Sequence, residues 1–268
     1  MRLSVDHRTT YRFSAPQDRL VQLLRLTPGN SHDQTVARWD IHLDCDARMR
    51  TGRDGFGNVV TMLYVDGPLD GIEIAVAGEV VTSHSDGVIH GVAETLPPAL
   101  YLRATERTLP DPAIVAFAQA AAGGADRLAA LHAINAALHA RAPVDWSRGL
   151  PGLTAAEAWR TGASTPRDLA KIFLVAARAI GAPARYVSGY RLGDGEREHR
   201  PTPHGWAEAH VDGLGWVGFD PSTNLSPEER YVRVAIGLDA AGAAPVAGSR
   251  LGEGVEELDV DVSVQREG

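Results

Sequence analysis

A histidine and an aspartate in the C-terminal half of the sequence have the types and positions that proton-transfer chemistry requires. His204 stands near the start of the segment PHGWAEAHV, and Asp220 follows the segment GWVGF directly before Pro221. In many enzymes an imidazole takes a proton from a nucleophile while a carboxylate orients the ring. Each residue alone is weak evidence, because an aspartate before a proline is commonly a turn former. The pair therefore needs support from the surrounding sequence.

Three segments around this pair carry a family resemblance. They read STPRDLAKIFLVAARAIGAPARYVSGYR from Ser164, PHGWAEAHV from Pro203 and GLGWVGFDPSTN from Gly213. They resemble the bacterial branch of the transglutaminase-like superfamily of papain-like cysteine enzymes. That branch shows G-V-C-[QR]-D-[FY]-A-H at the start of a helix, followed by A-R-Y-V-S-G-Y, H-A-W-x-E and G-W-x-x-F-D-P. The resemblance runs along the whole chain and is most specific between Glu157 and Asn224.

The resemblance implies a role for each position of a catalytic triad. Aligned without a gap, the family's histidine falls on His204, its aspartate on Asp220 and its nucleophilic cysteine on Pro166. Proline has no nucleophilic atom. It also lacks the backbone N–H that papain-like enzymes use in the oxyanion hole, and losing one such donor costs about 3 kcal/mol of transition-state stabilisation. The usual chemistry of the family is therefore not expected here.

Pro166 has a coherent structural interpretation at a helix start. Thr165 is the predicted N-cap, Pro166 the first helical residue, and Asp168 the capping-box partner. Proline costs nothing at that position, because its missing N–H would have no partner within the helix. We expect the helix to be kept while the nucleophile is lost. A second departure lies nearby, because the family's histidine in A-H is replaced by Lys171, the single lysine of the chain.

Four other side chains could in principle replace the missing nucleophile. If the chain shifted by one or two residues, Ser164 or Thr165 could approach His204 and form a Ser/Thr–His–Asp arrangement, although capping roles are favoured for both. Lys171 could serve as an amine nucleophile if buried, but a surface position is favoured. Cys45 belongs by pattern to the N-terminal sheet, and is predicted to be a small core residue. As the only cysteine, it also excludes an internal disulfide.

A metal site is a different interpretation of the same region. The spacing His-x4-His-x5-His matches no strong zinc pattern, and the first of these histidines lies in the charged segment 193–203, which is predicted to be a solvated loop. No metal or cofactor is therefore expected. The donors considered are His199, His204, Glu208, His210 and Asp220.

Composition and net charge limit the classes of protein to which this sequence can belong. The chain of 268 residues is 44% hydrophobic, enough for a core in one large or two modest domains. Its formal net charge of −8 gives no general attraction to nucleic acid or anionic membranes, so neither is expected as a partner. No apolar run is long enough to span a bilayer. The first residues, MRLSVDHRTTYRF, lack the apolar core of a signal peptide, which favours a cytoplasmic location.

Hydrophobic periodicity divides the chain into two parts. Period-two patterns predict strands over 3–13, 39–45, 59–65 and 72–80. A proline-containing stretch, 95–112, is the predicted linker.

The second part changes to a helical period. Helices are predicted from Asp126, Thr154 and Pro166, and strands over 184–192, 205–211 and 216–219. We predict an α+β fold: an N-terminal β-rich, sandwich-like domain over residues 1–95, then a papain-like transglutaminase core over residues 96–268. In that core, helices pack on an antiparallel sheet, and a β tail ends the chain.

Three functions are compatible with these features. The leading one is a non-catalytic transglutaminase-like protein, a pseudoenzyme that binds a peptide or protein partner in its vestigial cleft. The alternative is an active amide hydrolase or acyl transferase that uses Ser164 or Thr165 with a His204/Asp220 dyad. A third is a purely structural subunit that partners an active relative. Whether the protein is an enzyme therefore depends on the geometry around His204.

Overall fold

The computed structural model describes residues 1–267, which form two antiparallel sheets and four α-helices. Two short 3₁₀ turns, Pro98–Leu102 and Glu106–Thr108, lie between the N-terminal strands and the first helix. The helices are α1 Pro112–Ala122, α2 Arg127–Arg141, α3 Ala155–Thr161 and α4 Pro166–Ala179. The strands are β1 Arg2–Leu24, β2 Gln34–Leu43, β3 Arg48–Arg53, β4 Val59–Thr82, β5 Val88–Ile89, β6 Ala184–Arg191, β7 Arg197–Arg200, β8 His204–Val211, β9 Gly215–Phe219, β10 Tyr231–Gly237, β11 Val246–Gly252 and β12 Glu256–Arg266.

The seven-stranded sheet is built on two long strands, β1 and β4, which pair along most of their length. The strand order is β2-β4-β1-β12-β7, with β3 beside the first half of β4 and β11 beside the second half of β1. Alternate residues of β1, including Leu3, Val5 and Tyr11, are buried, as the period-two pattern predicts. The sheet therefore combines the two ends of the sequence.

Three features of this sheet differ from the prediction. The strands predicted over 59–65 and 72–80 are parts of one strand, β4, which continues through Gly67. A Cβ at position 67 would lie 1.9 Å from the Gln17 carbonyl oxygen, so only glycine fits there. The C-terminal β tail, grouped with the core in the prediction, supplies β11 and β12 to the N-terminal sheet. The segment 193–203, predicted to be a solvated loop, contains β7, which pairs with β12. Periodicity detects a strand but not its partner, because strand pairing is non-local.

The five-stranded sheet has the order β10-β6-β8-β9-β5, and the helices pack on it through α4. Almost every residue of α4 from Pro166 to Ala177 is buried, so the helix is central rather than covered along one stripe as its pattern predicted. Small residues such as Ala207 and Ala209 on β8 allow its close approach. An additional helix, α1, begins inside the end of the predicted linker, where Asp111 caps it and Pro112 occupies its first position.

The α+β fold with helices on an antiparallel sheet is confirmed. The N-terminal sheet packs on the second sheet through a shared apolar cluster that includes Leu3, Val5, Tyr190 and Val232. The division at residue 95 stays a prediction. No helix within residues 1–267 combines the length and apolar character needed to cross a bilayer.

Candidate functional site

His204 and Asp220 meet at one side of the five-stranded sheet, where one strand begins and its antiparallel neighbour ends. β8 begins at His204, and the antiparallel strand β9 ends one residue before Asp220. The Nε2 atom of His204 lies 2.7 Å from Oδ2 of Asp220, which is a short hydrogen bond. Within residues 1–267 the other ring nitrogen, Nδ1, makes no hydrogen bond. The structure thus brings together the histidine and aspartate that the sequence singled out.

Three donors hold the buried carboxylate of Asp220 in addition to the imidazole. Its Oδ1 accepts from the backbone N–H of Ser222 at 2.9 Å and from the Ser222 hydroxyl at 2.6 Å, and its Oδ2 also accepts from the Tyr231 hydroxyl at 2.9 Å. Burial alone would raise the pKa of Asp220, but the facing His204 and the hydrogen bonds from His204, Ser222 and Tyr231 outweigh it and lower the pKa. The group is therefore an ionised carboxylate in a fixed orientation.

Aromatic rings surround the imidazole. The Trp146 ring is stacked with His204 at a centroid distance of 6.3 Å, and the rings of Trp206 and Tyr231 lie at 6.0 Å and 5.8 Å. The His204 side chain is only 9% exposed. Trp146 belongs to the segment 142–153 between α2 and α3, whose Asp145 N–H donates to the Ser164 carbonyl at 3.2 Å. This segment covers the site from the side of the helices.

The N-terminus of α4 faces the same small cavity as His204. Thr165, Pro166 and Arg167 line it together with Trp146 and His204, and its volume is about 20 Å³. That volume holds roughly one water molecule. The helix thus presents its first turn toward the imidazole, and the residue at its first position is Pro166.

The predicted cap of α4 is confirmed in part. The Thr165 hydroxyl accepts from the Asp168 backbone N–H at 3.2 Å, as an N-cap does, and Pro166 follows at the first position. Asp168 does not reach back to the Thr165 backbone as a capping box requires. Its carboxylate accepts from the Thr165 hydroxyl at 2.5 Å and pairs with Lys171 at 2.8 Å. The lysine draws the carboxylate into an ion pair within the helix.

Neither hydroxyl beside Pro166 hydrogen bonds to His204. The Ser164 hydroxyl donates to the Pro143 carbonyl at 2.6 Å, and the Thr165 hydroxyl is held by Asp168. Both side chains are buried in these positions. A hydroxyl nucleophile at either residue would require the start of α4 to rearrange.

The two remaining alternative nucleophiles lie away from the imidazole. Lys171 is buried, contrary to the surface position that was predicted, because its ammonium donates to the Leu153 carbonyl at 2.6 Å and pairs with Asp168. Cys45 lies at the bend after β2, where it is partly buried against the apolar cluster of the N-terminal sheet rather than in its core as predicted. Burial and the neighbouring aspartates raise the pKa of the Cys45 thiol.

The donors considered for a metal site do not form one cluster in residues 1–267. His199 is exposed on β7, and His210 lies 3.7 Å from Asp212 rather than near His204. Glu208 is occupied by two arginines, because it accepts from the Nε atoms of Arg185 and Arg233, each at 2.6 Å. Burial opposes ionisation of Glu208, but the two arginines outweigh it and lower its pKa to about 2. Its role is to join β6, β8 and β10 beneath the site.

Sequence reasoning missed several residues that contact the dyad. Ser222 carried a recognisable signal, because a serine two residues after an aspartate often closes a side-chain turn. Tyr231 and Trp146 carried none, since both reach the site from distant elements. Gly205 stands where the family's H-A-W motif has alanine, and the structure explains this departure. A Cβ at Gly205 would lie 1.9 Å from the Tyr186 hydroxyl.

Comparison with known proteins identifies the family to which this chain belongs. Residues 3–81 match the family described as bacterial transglutaminase-like N-terminal region, and residues 115–221 match the transglutaminase-like superfamily. The chain belongs to the transglutaminase-like superfamily. The second match includes His204 and Asp220, and the first covers most of β1, β2, β3 and β4 in the seven-stranded sheet.

Two uncharacterised mycobacterial proteins and one solved structure align with nearly the whole of this chain. An uncharacterised protein of Mycobacterium leprae is 26% identical over 277 residues, which cover 99% of each chain. An uncharacterised protein of Mycobacterium tuberculosis H37Rv is 27% identical over 312 residues, which cover 98% of this chain and 91% of the relative. The crystal structure of a candidate cysteine protease from Cytophaga hutchinsonii superposes with a TM-score of 0.77 at 18% identity, covering 100% of this chain and 92% of the other. This likeness establishes the shared fold.

Proposed function

We propose that this protein is a non-catalytic transglutaminase-like protein that binds a peptide or protein partner through the cleft at His204. The observation that carries the proposal is Pro166 at the first position of α4, facing a dyad whose hydrogen bond is intact. A site that had lost all use of the cleft would not need the buried Asp220 with its four hydrogen bonds. The His204–Asp220 pair that the protein retains can still bind a ligand by hydrogen bonding.

The dyad can recognise a peptide without chemistry. Nε2 of His204 is held by the Asp220 carboxylate, so Nδ1 is the ring atom left for a ligand. Without a proton Nδ1 accepts from a peptide N–H, and with a proton it donates to a peptide carbonyl. Trp146 beside the ring adds a large flat surface of the kind enriched at binding hot spots. The cleft therefore offers one oriented polar contact next to an aromatic anchor.

The alternative is an amide hydrolase or acyl transferase that uses Ser164 or Thr165. It gains no support from the hydrogen bonds of these hydroxyls, which go to Pro143 and Asp168. A structural subunit that partners an active relative is the third proposal, and co-purification with such a relative would favour it. The cytoplasmic location stays a prediction.

One experiment separates binding from catalysis. The protein is immobilised and exposed to a random nonapeptide library, and the captured peptides are identified by mass spectrometry. We expect intact peptides, captured by the wild type and by the control Met49→Ala, whose side chain is exposed on the N-terminal sheet, but lost with Trp146→Ala. Capture that Trp146→Ala leaves unchanged would contradict binding through this cleft.

The same experiment tests the enzyme alternative. Peptides that return cleaved, deamidated or linked to an amine show catalysis if the products vanish with His204→Ala. In that case Ser164→Ala and Thr165→Ala identify the nucleophile. The mass change distinguishes these reactions from simple capture without knowledge of the partner.

A further inference from the structure

The cleft at His204 continues past Trp146 into an open basin. Trp146 and Arg200 line the cavity at His204 and also the basin beyond it, which Arg191 and Arg197 line as well. We call this region the arginine basin. Its volume is about 470 Å³, within the range of small-ligand pockets, whereas the two cavities that touch His204 have volumes of about 20 and 10 Å³. A peptide that reaches the dyad must therefore place most of its bulk in the basin.

Charge in this region is opposite to that of the whole protein. The chain carries a formal net charge of −8. The linings of the basin and the two cavities nevertheless include four arginines and two carboxylates, a surplus of two positive charges. The set is Arg167, Arg191, Arg197 and Arg200, with Asp194 and Glu198. A local positive surface on an acidic protein favours an anionic ligand.

Two of these arginines retain hydrogen-bonding capacity. Arg200 lies over the Trp146 ring, with the guanidinium carbon 4.1 Å from the centroid, and it forms an ion pair with Glu198. Arg191 is nine-tenths buried, and its Nε–H makes no hydrogen bond within residues 1–267. Glu198 does not satisfy it, because the nearest ion-pair distance, from Nη1, is 3.8 Å and too long for a hydrogen bond. Within the described part of the chain the Glu198 Oε2 atom is unpaired as well, and both it and Arg191 Nε are closed to solvent. A buried guanidinium donor without a partner is costly, so a ligand acceptor is favoured once the Arg191 side chain turns toward the basin.

We propose that the arginine basin binds a carboxylate of the partner peptide, with Arg200 and Arg191 as its donors. Guanidinium groups bind carboxylates through charge-assisted and often bidentate hydrogen bonds. The guanidinium of Arg200 lies over the Trp146 ring, and a cation–π contact of this kind restricts its position. This inference rests on the proposed peptide-binding function and adds the chemical class of the ligand. The carboxylate is either an acidic side chain or a free C-terminus.

The test uses two random nonapeptide libraries, one with amidated and one with free C-termini, captured on the immobilised full-length protein. We expect captured amidated peptides to be enriched in Asp and Glu if side chains supply the carboxylate. If the terminus supplies it, the free-acid library is preferred without such enrichment. Arg200→Gln should weaken binding of a captured peptide at least about tenfold, as expected when a charge-assisted hydrogen bond is lost. The matched control is Arg48→Gln, whose side chain is 75% exposed on the N-terminal sheet.

The outcomes distinguish a failure of the carboxylate inference from a failure of the proposed function. Captured peptides that require Trp146 but show neither acidic enrichment nor a preference for free C-termini overturn the carboxylate inference, and leave the proposed function standing. Equal affinity of a captured peptide for the wild type and for Arg200→Gln would also overturn the carboxylate inference while the proposed function stands. No capture by the wild type from either library overturns the proposed function and this inference together.

Discussion

His204 and Asp220 keep a 2.7 Å hydrogen bond between Nε2 and Oδ2 although the first residue of α4 offers no nucleophile. Ser222 and Tyr231 also donate hydrogen bonds to the Asp220 carboxylate and so fix its orientation. Buried polar networks of this kind are stable only when every member is satisfied. We therefore expect this network to contribute measurably to the stability of the folded protein.

Removal of the tyrosine hydroxyl from this network should be costly. Tyr231→Phe deletes a donor to a buried carboxylate, and we expect the free energy of unfolding at pH 7 to fall by about 1.5–3 kcal/mol. Urea unfolding followed by circular dichroism measures it. Tyr64→Phe is the matched control, since Tyr64 is half-buried on β4 away from the site, and its loss should be within about 0.5 kcal/mol. Equal losses in the two variants would show that Tyr231 acts only by packing.

Gly205 is expected to be essential to the packing beside His204. A Cβ there would lie 1.9 Å from the Tyr186 hydroxyl and 3.2 Å from Cγ of Arg167, so Gly205→Ala should destabilise by about 1–3 kcal/mol. Thermal unfolding checks this, with Gly52→Ala as the control, because nothing lies within 4 Å of a Cβ there. The double variant Gly205→Ala/Tyr186→Phe lacks the clashing hydroxyl. We therefore expect it to recover part of the stability that Gly205→Ala loses. An unchanged melting temperature in Gly205→Ala would contradict the close contact.

A buried histidine in the interface between the sheets predicts a pH dependence. His7 is hydrogen bonded to the Tyr190 hydroxyl at 2.9 Å and to Thr9 at 3.1 Å, and burial lowers the pKa of His7 from 6.5 to about 4. Between these values the unfolded chain binds a proton that the folded chain does not. The contribution of His7 to the free energy of unfolding should therefore be constant above pH 6.5 and fall as the pH decreases to 4, by at most about 3.4 kcal/mol.

Urea unfolding between pH 4.5 and 6.5 isolates this contribution. In His7→Gln the slope of unfolding free energy against pH should decrease by up to about 1.4 kcal/mol per pH unit, which corresponds to one proton. His42→Gln is the control, because His42 is exposed on β2 and should leave the slope as in the wild type. If the slope of His7→Gln equalled that of the wild type, His7 would bind its proton equally well in the folded and unfolded states. That result would contradict the lowered pKa.

The sequence predicted the parts of the site that depend on local chemistry. Thr165 as the cap of α4 and Asp220 at the end of a strand follow from residue types at fixed short spacings. The pairing of β12 with β1 and the approach of Tyr231 to Asp220 are contacts between distant segments, and no local pattern records them. Lys171 was misplaced for the same reason, since its partner carbonyl at Leu153 lies in another segment.

The central claim is that Pro166 occupies the nucleophile position in front of a working His204–Asp220 dyad. Its most direct test is the thiolate pKa of Pro166→Cys in a Cys45→Ser background, followed by ultraviolet absorbance of the thiolate against pH. Cysteine restores a nucleophile and also a backbone N–H. We predict a thiolate pKa below about 7.5, and a rise toward the free value of about 8.5 when His204→Ala is added. A thiol that titrates at or above about 8.5 with and without His204 would contradict the claim.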